Sequence, residues 1–250
     1  MEGLLVPVNG ERLQVALTDA AAEVADRVLD AVDGTQDIGL ADYVNTGADA
    51  KTALGAVRLI GADVFAPHLL LGRPVHPDDA AVIAHSFAVF PPAGQAATPR
   101  QQVVAWRDWA TSHLLARTGQ PAPAGPDVVP TAVPQTATAL LGPGKSWQEW
   151  SATAAQLSPL ALPGLGGPIA AAMFDGARPL AQGATQAMLR RDFVTAARLI
   201  RWIALLSSSG VRQLLDPGLL VERIRLYGGT GSRLSLDLAI AGRLLGMEPA

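Results

Sequence analysis

RDFVTAARLIRWIALL, residues 191–206, is the stretch from which the fold class follows. Phe193, Leu199, Ile200, Ile203 and Leu206 recur at the three- and four-residue spacing of a helix. Arg191, Arg198 and Arg201 fall on the other side, as expected of an amphipathic helix whose arginine face is solvated or else meets the acidic N-terminal half, within the chain or between copies.

Working outward, the same grammar repeats along most of the chain. Ser232–Leu245 and Leu219–Leu226 follow as helices on the C-terminal side. Pro168–Phe174 and Pro179–Leu189 precede it, and a helix from Ser146 to Leu157 opens with Ser146 and Glu149 spaced as a capping box. Thr98-Pro99 opens a helix to about Arg117. Pro77, followed by Asp78 and Asp79, reads as a helix first turn running to about Phe90, with proline early and carboxylates near the positive end of the dipole. Helices are also expected over Ile38–Val44, Asp49–Ile60 and part of Asp63–Leu71. Thr18 and Asp19 offer N-caps for a helix over Ala20–Val32, which Gly34 ends.

One exception stands at the N-terminus. Leu4–Val8 and Arg12–Leu17 flank Asn9-Gly10, a dipeptide suited to a type I′ turn. The expected fold is therefore mainly α, a multi-helix, bundle-like arrangement with a short N-terminal β-hairpin. Gly119–Pro134 is rich in proline and alanine and reads as a linker or surface strap. The organisation expected is a hairpin plus helical domain at 1–118, the strap at 119–145 and a helical region at 146–250, unless the two helical parts form one domain.

Composition narrows the function classes. Charged residues make up 16% of the chain and hydrophobic residues 49%, against about 25% charged in an average soluble domain. So few charges favour covering some apolar surface with a partner or another copy. With no cysteine, disulfides, thiolate metal sites and cysteine nucleophiles are excluded. Residues 1–120 carry 14 acidic and 8 basic side chains, whereas residues 121–250 carry 8 acidic and 11 basic. Whole-chain acidity argues against nucleic acid as a partner. Arginine far outnumbers lysine, which points to a GC-rich bacterial or phage genome. The start lacks a secretory pattern, and the most apolar stretch noted, Leu160–Phe174, is too short to span a membrane. The expected location is cytoplasmic, or a virion if the gene is a phage's.

Four constellations are candidates for chemistry. His68, His76, His85 and His113 could ligate a metal, and His76, His85 and Asp79 could serve acid–base catalysis. Their sequence gaps of 8, 9 and 28 residues do not match helix-borne ligand pairs. Arg191, Arg198, Arg201, Arg225 and Arg233 could bind an anion or nucleic acid. Gly228-Gly229-Thr230-Gly231-Ser232 resembles a phosphate loop but has no βαβ unit around it. Trp106, Trp109, Trp147 and Trp150 share the pattern Trp-x-acid-Trp and suit packing or interface anchoring. No Gly-x-Ser-x-Gly elbow is present. No cofactor is required by the sequence. The leading expectation is a non-catalytic interaction or assembly protein that self-associates or takes a protein partner. An all-α enzyme with a His/Asp pocket between 68 and 113 comes next, and anion or nucleic-acid binding through the arginines is third.

Overall fold

The computed structural model describes residues 8–47, 49–92, 96–119 and 132–248. Helix α1, Val8–Asp33, is the long first element. Its second half buries Val24, Ala25, Val28, Ala31 and Val32 at helical spacing. The short α2, Leu40–Thr46, and α3, Ala50–Ile60, follow, the latter capped by the Asp49 side chain.

Gly61 then takes a positive φ of 63° and leads from α3 into a 3-10 turn, Gly61–Phe65, which runs straight into α4, Ala66–Leu71. By length and composition the stretch Ala50–Leu71 is apolar enough to cross a membrane, and it is longer than the Leu160–Phe174 run that the sequence reading ranked first. Here most of it is buried among the other helices.

Helix α5, Pro77–Val89, and α6, Pro99–Arg117, complete the first half. Thr98 and Gln101 cap α6 reciprocally. After the strap region, most of which lies outside the described residues, comes a helical turn that the sequence reading missed: α7, Ala137–Leu141, with Leu140 and Leu141 buried. Helix α8, Trp147–Gln156, starts on the expected Ser146–Glu149 capping box. The remaining helices are α9, Gly167–Asp175; α10, Ala177–Leu189; α11, Phe193–Ser208; α12, Pro217–Tyr227; and α13, Ser232–Leu244.

No strand occurs among the described residues, and the expected hairpin is corrected on its second arm: Arg12–Leu17 lies within α1. Of its first arm, Leu4–Val8, residues 4–7 lie outside the described residues and Val8 begins α1. Thr18, expected to cap a helix, sits inside one and donates its hydroxyl to the Gln14 carbonyl at 2.8 Å. The reason is cooperative. A two-stranded ribbon needs a third strand or a packed face to persist. Extending an existing helix costs only propagation, and Leu17 reaches α3 at Gly55 along that path.

Helix α11 is the hub. It packs against α13, α10, α8 and α12, and buries every residue from Leu199 to Leu206. Helix α13 also lies along α1, so buried apolar side chains from Val24 to Leu244 form one continuous cluster. Close approach of α8 to α10 depends on Gly183, where an added Cβ would stand 2.4 Å from Ser151 Cβ.

Candidate functional site

The most heavily charged part of the interior is built around Arg201. Three elements meet there: the 3-10 turn carrying Asp63, α11 carrying Arg198 and Arg201, and α13 carrying Arg233 and Asp237. Arg201 is 0% exposed. Its Nη1 donates to Asp237 Oδ1 and its Nη2 to Asp63 Oδ1, both at 2.7 Å. Arg233 Nη2 donates to the other Asp63 oxygen. Asp237 Oδ2 has Arg233 Nε at 3.7 Å and Arg198 Nε at 3.8 Å.

Burial alone would push the Asp63 carboxyl up. The charges of Arg201 and Arg233 and the Arg201 hydrogen bond outweigh it and hold the group at about 2. Burial likewise works against the charge on Arg201, yet Asp63 and Asp237 keep its guanidinium above its ordinary value. On α6, Arg107 donates to the Leu59 carbonyl at the end of α3. Burial and the nearby charge of Arg233 hold Arg107 down at about 10. Arg58 and Asp108 form a separate pair beside it, with Arg58 lying over the Phe87 ring.

Of the five arginines singled out from the sequence, the fold brings together Arg198, Arg201 and Arg233. Arg225 pairs with Glu222 at 3.0 Å, and Arg191 is exposed just beyond α10 at a φ of 57°. Of the two readings of that face, solvation does not hold for Arg201, which meets Asp63 of the N-terminal half and Asp237 of α13 instead of water. Sequence reading missed Asp63, Asp237 and Arg107. A signal existed for the aspartates, since each is a lone charge inside an apolar run, LIGADVFAP and LSLDLAIAG. Such a charge is rarely buried without a partner.

The histidines do not converge. His68 and His76, with Asp79, line a cavity of about 550 Å³ between α2, α4 and α5. His85 is exposed on α5, and His113 stacks on the Trp109 ring at 5.1 Å. No group of three or more His, Asp or Glu side chains placed to hold a metal ion occurs among the described residues. Within the cavity His68, His76 and Asp79 each serve a helix end or a loop. His76 Nδ1 accepts from the Asp78 amide at 3.3 Å and so caps α5. Asp79 Oδ1 accepts from the Ala41 amide at 3.0 Å. It thereby caps α2, whose own N-cap, Gly39, has no side chain to do so. His68 Nδ1 lies 2.6 Å from the Arg73 carbonyl. A carbonyl only accepts, so Nδ1 is the donor in this contact.

Three of the four tryptophans singled out from the sequence are spent on this chain's own core. Trp106 is fully buried, donates to Thr136 Oγ1 at 3.1 Å and meets Trp109 edge to face at 5.4 Å. Trp150 donates to the Leu141 carbonyl at 3.1 Å. Only Trp147 stays half-buried, on the rim of a second cavity of about 590 Å³ lined by α7 to α10. The glycine-rich loop joins two helices and meets a carboxylate at its far end. Gly228 caps α12, and the start of α13 is met by the Asp26 carboxylate, which accepts from Ser232 Oγ at 2.9 Å.

No family model, curated protein or solved structure matches the chain.

Proposed function

We propose that this protein acts by association, pairing with a second copy of itself through the outer face of α12. One observation carries this reading: Leu219, Leu226 and Tyr227 are 70%, 75% and 66% exposed on a single helix. Leu219 and Leu226 are two turns apart on the same face, and Leu214, also exposed, lies just ahead of that helix. Large apolar side chains gathered in this way mark a contact surface.

The pattern is self-complementary. Glu222 and Arg223 sit midway between the two leucines, and both are exposed. An antiparallel copy sets Leu219 against Leu226 and Glu222 against Arg223, then repeats both contacts by symmetry, as a two-fold interface requires. Glu222 Oε1 is shared with Arg225 of its own helix at 3.0 Å, while Oε2 remains for the partner. Light scattering of the eluting full chain is the test. A dimer that Leu226→Glu converts to monomer is the expected result. A monomer at every concentration, or a dimer indifferent to Leu226→Glu, overturns the reading.

A second reading rests on the cavity beside His68. Its volume falls within the range of small-molecule sites. Asp37, Asp42, Asp78 and Asp79 line it against Arg73, so a small cationic ligand suits it. Ligand-detected NMR with small amines is the test. Binding that His68→Gln weakens supports the reading, and the absence of any binder ends it.

A further inference from the structure

We propose that Arg198 and Arg233, with Arg107 beside them, form a binding site for a dianionic oxyanion, a phosphate group being the chemistry that fits. The inference begins with a charge count. Four guanidiniums, those of Arg107, Arg198, Arg201 and Arg233, meet two carboxylates, Asp63 and Asp237. The adjacent Arg58–Asp108 pair balances itself. Two positive charges are left over at the edge of a low-dielectric interior, where an unmatched charge is costly.

The direction of that excess is visible in the exposure. Arg201 and both aspartates are wholly inside, whereas the side chains of Arg198 and Arg233 keep 34% and 24% of their surface. They reach one point from two helices, since both Nε atoms come within 3.8 Å of Asp237 Oδ2. Neither forms a hydrogen bond to it, and that oxygen together with Arg201 Nε is buried without a hydrogen-bond partner. The unpaired donor, Arg201 Nε, suits an anion's oxygen, whereas Asp237 Oδ2 takes only a donor. The terminal nitrogens of Arg198 make no hydrogen bond among the described residues, and Arg107 is anchored beside Gly61 and Asp63 by its bond to Leu59. The guanidiniums of Arg198 and Arg233, which reach Asp237 from α11 and α13, offer the N–H groups that phosphate oxygens accept, and Arg107 on α6 adds its charge nearby. A dianion cancels the surplus, and a monocarboxylate cancels half of it.

The site is independent of α12 pairing. Its test is calorimetric titration of the full chain with inorganic phosphate at neutral pH and fixed ionic strength, with a phosphate monoester and acetate as further arms. Saturable binding of phosphate at about 1 mM or tighter is expected, with acetate clearly weaker. Equal binding of the monoester identifies an esterified ligand as a fitting source; loss of it restricts the site to the free ion. Arg198→Gln gives up only a 3.8 Å ion pair, so it should fold, and it should weaken phosphate binding about tenfold or more. Arg212→Gln, at an exposed arginine outside the cluster, should leave binding unchanged. Phosphorus NMR of phosphate with the unaltered chain is the second readout. No saturable heat and no line broadening overturns the proposal. So does equal weakening by Arg198→Gln and Arg212→Gln, which would mean diffuse surface attraction only.

Discussion

Two clusters of ionisable side chains flank the stretch that joins α3 to α4, and they are stabilised in opposite ways. Around Arg201, charges face one another with water excluded, and each is tolerable only because the others are present. Around His68, His76 and Asp79, polar groups face an open cavity, and each is satisfied by a backbone group of its own neighbourhood. The first cluster is an interdependent unit made by elements far apart in the chain, with 138 residues between Asp63 and Arg201. The second is a set of separate local tasks that happen to share a cavity. Titratable residues in a group therefore say little until burial shows whether they depend on each other.

Substitutions test that contrast, and the largest effect belongs to the buried unit. Arg201→Met should cost roughly 3–5 kcal/mol in urea unfolding, because it takes the buried cation from two buried carboxylates and leaves Asp237 without its hydrogen bond. A loss under about 1 kcal/mol would mean that the carboxylates rehydrate and the unit is not interdependent. Acid should act on the same unit. The Asp63 carboxyl is held at about 2 in the folded chain, below its ordinary 3.8. Its stabilising contribution is thus complete above about pH 4 and is lost as pH falls toward 2. Urea midpoints taken from pH 5 downward should drop across that window. A flat profile there breaks the assignment.

On the cavity side the effects should be smaller and additive. Asp79→Ala removes the cap from α2 and should cost about 1 kcal/mol, with Asp79→Asn recovering part of it through its amide oxygen. His76→Ala should stay within about 0.5 kcal/mol, as an exposed site does. The double variant Asp79→Ala with His76→Ala should equal the two singles. A coupling of 1 kcal/mol or more would show that the cavity groups form a unit after all.

Helix starts were the most legible feature of the sequence. Thr98-Pro99, Ser146 with Glu149, and Pro77 after His76 all open helices where their capping chemistry places them. Each such signal is complete within four residues, so nothing distant can cancel it. The Asn9-Gly10 signal is just as local, yet it failed on the Arg12–Leu17 side. A hairpin needs its two arms to pair, whereas helix α1 needs only to continue from its packed second half. The candidate sites were less legible. Histidine, arginine and tryptophan were singled out by residue type, and type does not report exposure: Trp106 and Arg201 are both fully buried.

The sequence by itself determined that this chain is helical, where most of its helices begin, and that cysteine chemistry is absent. Hydrogen bonding along a helix, capping and apolar spacing are short-range and can be read from neighbours in the chain. Only the tertiary structure decided which charges went inside. Arg201 of α11 became interior because Asp63 and Asp237 arrive from other elements and offset its desolvation. That balance exists only once the segments have met.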